Sequence, residues 1–147
     1  MTFAADLQQF SAKATSNNNE LVRAVTTKLF NSIVLSSPVD TGRFRGNWQV
    51  SYDAPILSET DRLDPTGAEA VAQIASVLRP KAARTYLTNN LPYAEVIEFG
   101  GYPDPVLRGT WVKGKGYVIK SIGGYSKQAP VGMVRVNMTR IATLLKA

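Results

Sequence analysis

The tripeptide Asp40-Thr41-Gly42 is the form in which aspartic proteases present a catalytic carboxylate, and here it lies within Ser37–Trp48, SPVDTGRFRGNW. That chemistry requires the aspartate to leave a buried strand and meet a second copy, so that two carboxylates share one proton. A homodimer could supply the second copy, and Ile122–Tyr125, IGGY, has the look of a flap. The neighbouring residues argue against it. An amphipathic pattern ending in Ser-Ser-Pro precedes Asp40, and Arg43 and Arg45 follow Gly42, two cations that would hold both carboxylates ionised. The reading that fits is a structural turn between helix and strand, made of Pro38, Asp40, Thr41 and Gly42. In it Asp40 accepts backbone hydrogen bonds and Gly42 takes a positive φ.

Other candidate clusters are weaker. Glu59, Asp61 and Asp64 could supply oxygen ligands, but their spacing lacks a calcium loop's central glycine and terminal glutamate, which favours a solvated acidic loop. Glu95 and Glu98 could act as an acid and base pair; at three residues apart they better suit an exposed helix face or an inter-subunit salt bridge. Lys113–Lys120, KGKGYVIK, holds glycines and lysines without the spacing of a phosphate-binding loop. Trp48, Tyr52 and Tyr93 could stack on bases, yet they sit on apolar stripes that suit a core or an interface. With no cysteine and no histidine, thiolate nucleophiles, imidazole bases and both kinds of metal site are excluded. The expectation is a chain with no catalytic, metal or cofactor site.

The elements that must position these residues follow from periodicity. Ser16–Glu20, SNNNE, provides capping side chains, and Leu21, Val25, Leu29 and Ile33 then recur every four residues, predicting a helix over about Glu20–Ser36 that Pro38 stops. Trp48, Val50 and Tyr52 alternate with polar residues as a strand does. Ala54–Gly67 reads as a long loop. Thr66 and Glu69 then cap a second helix through Leu78, which Pro80 closes. Arg84–Asn89 reads as a second strand, and Pro92–Phe99 as one or two helical turns stopped by Gly100-Gly101. Within Tyr102–Gln128, strands near Val106–Val112 and Tyr117–Ile122 join through Lys113-Gly114-Lys115-Gly116 as an extended arm. Pro130 opens a final helix with Val131, Val134, Met138, Ile141 and Leu145 on its apolar stripe. The fold class expected is α+β: a small antiparallel sheet packed against a long helix from the N-terminal half and a C-terminal helix, in one domain over residues 1–147 with an arm at about 102–128.

Charge is unevenly placed. Residues 1–78 hold six Lys/Arg and eight Asp/Glu, net −2, whereas residues 79–147 hold eleven and three, net +8. The basic half suits nucleic acid, an acidic protein neighbour, or simply a solvated surface. Arg43, Arg45, Lys113, Lys115, Lys120 and Lys127 are the candidates for inter-subunit or DNA-facing contacts. No apolar run approaches a membrane span, and the opening MTFAADLQQF lacks the pattern of a secretory signal, so the chain is expected to remain in the cytoplasm with no membrane partner.

Taken in order, SPVDTGRFRGNW after an amphipathic helix, then Asn89–Tyr102, NNLPYAEVIEFGGY, then Ala129–Met138, APVGMVRVNM, resemble the tailed-bacteriophage neck family of tail-completion, head-tail joining and minor tail components. The matching positions are Pro38 to Gly42, Arg43, Trp48, Tyr93-Ala94, Glu98-Phe99-Gly100 and Pro130; Met133 stands where an aromatic often follows the last proline. The resemblance implies a non-catalytic virion protein that forms a homo-oligomeric ring, six-fold in symmetry, between the head connector and the tail. Its implied partners are further copies of itself, a head-completion or connector protein and a tail terminator or tail tube protein, with non-specific contact to genomic DNA in the channel. It implies location in the virion neck after assembly in the host cytoplasm. The alternative within the same class is a tail terminator that caps the tube; outside it stand a basic nucleic-acid-binding protein and the protease.

Overall fold

The structure is a computed structural model that describes residues 2–79 and 84–146. Helix α1 runs Phe3–Ser36, capped by Thr2, whose hydroxyl accepts from the Ala5 amide. The helix is therefore 34 residues long and begins well before the expected start near Glu20. Phe3, Leu7 and Phe10 continue a helical spacing upstream, and the Ser16–Asn18 side chains lie exposed in water instead of turning back to cap. At the other end Ser37 is extended, as the residue before Pro38 must be, and its hydroxyl donates to the Ile33 carbonyl.

After the turn, α2 (Arg43–Gly46) leads into β1 (Gln49–Tyr52). The loop from Asp53 to Gly67 precedes α3 (Ala68–Val77), and β2 (Thr85–Thr88) returns antiparallel to β1, with Val50 opposite Leu87. Helix α4 (Ala94–Phe99) ends at Gly100 as expected. The 102–128 region forms two short antiparallel hairpins, β3 (Thr110–Val112) with β4 (Gly116–Val118) and β5 (Ser121–Ile122) with β6 (Tyr125–Ser126). Helix α5 (Val134–Lys146) completes the chain. The class is α+β as expected, its strands paired in three small antiparallel sheets. The expected stop at Pro80 lies outside the described residues.

One core unites α1, α2, β1, β2, α3, α4 and the segment leading into α5, without the two hairpins. Phe30, Ile33 and Val34 of α1 meet Phe44, Trp48, Val50, Ala70, Ile74, Leu78, Leu91, Ile97, Ala129 and Met133. Burying each large apolar side chain here stabilises by roughly 1.5–3 kcal/mol. Arg23 Nε donates to the Leu78 carbonyl at 3.1 Å, tying the middle of α1 to the end of α3.

Helix α5 departs from expectation twice. It starts at Val134 and not at Pro130, because the Met133, Val134 and Arg135 amides are taken by the Glu98 carboxylate. Its buried positions are Asn137 and Ile141, while Val131, Met138 and Leu145 are exposed. Asn137 fixes that face by donating from Nδ2 to Ser36 Oγ at 2.8 Å and to the Met133 carbonyl at 2.6 Å.

Candidate functional site

The Asp-Thr-Gly segment is a turn, and its glycine requirement is physical. Gly42 has φ 89°, and a Cβ there would lie 2.4 Å from the Pro65 nitrogen. Both facts exclude a side chain. The Thr41 hydroxyl accepts from the Arg43 amide at 3.3 Å. Pro38 is half-buried behind the turn. Asp40 does not accept the expected backbone bonds: its exposed carboxylate pairs with Lys120 Nζ at 2.9 Å, reached from the far side of the 102–128 region. Beside it the Gln128 amide accepts from the Val39 N–H at 2.9 Å and donates to the Val39 carbonyl at 2.8 Å. A single side chain thereby stands in for a strand partner, and the arm is clasped to the turn at two points.

The six candidate cations divide into three kinds. Arg45 serves as an internal clamp: Nη2 donates to the Leu35 and Ser37 carbonyls at 3.0 and 2.8 Å, and Nη1 to the Pro65 carbonyl at 2.9 Å. These are carbonyls that the end of α1 and the following loop leave open. Burial pushes its guanidinium below the ordinary value, with Asp64 opposing, yet it stays charged. Arg43 pairs with Glu59 at 3.0 Å and Lys120 with Asp40, both at the surface. Lys113, Lys115 and Lys127 are exposed on the hairpins and enter no ion pair among the described residues.

Two carboxylates prove structural, contrary to expectation. Asp64, expected in a solvated loop, is buried and caps α3 by accepting from the Ala70 amide at 2.9 Å, the job assigned to Thr66 and Glu69. Thr66 Oγ accepts only from the Ala68 amide, at 3.3 Å. Glu98, expected on an exposed face, is buried across from the start of α5. Its Oε2 accepts from Met133 and Val134, and its Oε1 from the Arg135 amide and Nε at 2.9 and 3.0 Å. Burial raises the Glu98 pKa, but the three amides and the guanidinium outweigh it and hold the carboxyl below its usual range. Gly132 makes the approach possible: its φ is 78°, and a Cβ would sit 2.5 Å from the Glu98 carbonyl oxygen.

Sequence reasoning also missed Asn47 and Arg62. Asn47 donates to the Arg43 and Thr60 carbonyls and accepts from the Thr60 amide; Arg62 donates to the Gly46 and Trp48 carbonyls. Together they tie the 53–67 loop to the turn and strand start. Apart from the Arg43 carbonyl four residues back, the partners lie 13 to 16 residues away in sequence, so no local pattern announces these bonds.

Between the turn and the arm lies an open cavity of about 630 Å³. Phe44, Tyr93, Ile97 and Tyr102 line its apolar side, and Asp40, Arg43, Arg108 and Lys120 its polar side. Burial pushes the Tyr93 and Tyr102 phenols up, so both present neutral hydroxyls. Among the described residues no group of three or more acidic, His or Cys side chains is placed to hold a metal ion, and no helix is long and apolar enough to cross a membrane. The chain matches no family model, no curated protein and no solved structure.

Proposed function

We propose that this chain is a structural protein of a tailed bacteriophage that forms an oligomeric ring in the neck, joining the head connector to the tail. The observation that carries the reading is how the three resembling segments pack. Phe44 and Trp48 from the first, Leu91 and Ile97 from the second, and Ala129 and Met133 from the third share one core. Their polar residues interlock as well: Asn89 Nδ2 donates to the Phe44 carbonyl at 2.9 Å, and Glu98 caps α5. The residues of the resemblance thus act as a folding framework, which is what a ring subunit needs and a catalytic motif does not.

A closed ring requires two unlike surfaces on each subunit. The exposed N-terminal part of α1 and the hairpin face carrying Leu107, Trp111 and Tyr117 are two such surfaces. Lys113, Lys115 and Lys127, exposed and in no ion pair among the described residues, supply the charge for non-specific contact with DNA in the channel or with an acidic neighbour. Location in a density map of intact particles tests the proposal. Density for this chain as a ring at the head-tail junction is expected; its absence there, or recovery only with headless tails as a terminator would behave, overturns the neck assignment.

A further inference from the structure

Helix α1 begins packing only about halfway along. Phe3, Leu7 and Phe10 are 82%, 54% and 71% exposed, and they fall at i, i+4 and i+7 on one face. This is the anchor spacing with which a helix enters a groove. The cavity between the turn and the arm has the complementary character, with an apolar lining and Arg43, Arg108 and Lys120 against one acid, Asp40. Arg108 lies over the Tyr117 ring and has no acidic partner among the described residues. The segment Thr2–Phe10 carries one charged side chain, Asp6, between the apolar anchors.

The two features cannot meet within one subunit. Helix α1 contains no proline or glycine to kink it, so Phe3 stands about 50 Å along the axis from Ser36, two residues before Pro38 of the cavity lining. The geometry points to the first helical turns of one copy, Thr2–Phe10, docking in the turn-arm cavity of a second copy, with Asp6 facing Arg108. Pairing of two α1 stripes with each other would leave the cavity unfilled and Arg108 without an acid. Because the contact joins unlike surfaces, it propagates from copy to copy and closes as a ring or continues as a filament. The inference rests on the self-association in the proposed function and not on the neck location.

The full chain contains no cysteine, so engineered pairs report the contact directly. Leu7→Cys and Leu107→Cys, both at exposed positions, are purified separately, mixed and oxidised. The mixture is expected to form a mixed disulfide dimer that neither variant forms alone, the double variant a ladder of covalent oligomers, and Asp6→Lys a severalfold lower yield. Equal cross-linking of Leu7→Cys with itself would overturn the contact in favour of paired helices. No mixed disulfide, while the unsubstituted chain self-associates in sedimentation, would overturn this contact and leave the ring reading intact. A chain that stays monomeric at every concentration, with no cross-link, removes both.

Discussion

Glu98 joins two helices through one carboxylate, and its removal should be costly. Glu98→Ala leaves one buried and two half-buried amides at the start of α5 without an acceptor, which should destabilise by roughly 2–4 kcal/mol in chemical denaturation. The pH dependence has a definite sign. The folded pKa is depressed, so this stability is fully present above the unfolded value of about 4.3 and is lost as pH falls from there through the lower folded value. Thermal melts of the unsubstituted chain should therefore drop below about pH 4 more steeply than those of Glu98→Gln. Gly42→Ala should cost about 1–3 kcal/mol from its backbone conformation alone, before the clash with Pro65. Asp40→Asn, by contrast, breaks only an exposed pair and should change stability by no more than about 1 kcal/mol. The need for glycine after Asp-Thr was legible, because a turn between helix and strand requires a positive φ. The partners of Asp40 and Glu98 were not, since they are set by tertiary contacts 80 and 35 residues apart, and Asp64 reaches the Ala70 amide from outside the usual capping position.

At the scale of elements, the hairpins invite a direct test. Deleting Lys113–Gly116 removes the β3–β4 turn with the first residue of β4, its lysines touch nothing acidic among the described residues, and the Lys120-Asp40 and Gln128-Val39 clasps remain. On the proposed function, the subunit should keep its helical circular dichroism and cooperative melt while losing the ability to join heads to tails. Normal virion yield would refute a role for the turn. The end of α1, both strands β1 and β2, and helices α3 and α4 were legible from apolar period and from Pro and Gly punctuation. The first half of α1 was not, because Ser-Asn-Asn-Asn imitates a cap and no buried stripe marks the residues before it. The face of α5 was misjudged for a related reason. A polar residue, Asn137, faces inward to satisfy the end of α1, and hydrophobic spacing cannot reveal a buried amide.

For the molecule as a whole, the basic half keeps Arg79, Arg84, Arg108, Lys113, Lys115, Lys127, Arg140 and Lys146 exposed and without an acidic partner among the described residues. If only Lys113, Lys115 and Lys127 meet duplex phosphates, binding should fall with salt at a log-log slope of about −3. A slope beyond about −6 would mean that far more of the basic half engages DNA and would favour the nucleic-acid-binding reading. The long first helix carries a different consequence, one of timing. Its outer half holds Ser11, Thr15, Ser16 and three asparagines, all modest helix formers, and gains little from packing. In a lone subunit that half stands near the balance between helix and coil, and its amides should exchange with deuterium far faster than those around Ile33. If a second copy docks there as inferred, it must first meet the entropy of winding it. Under the proposed docking, that entropy would slow the association of free subunits.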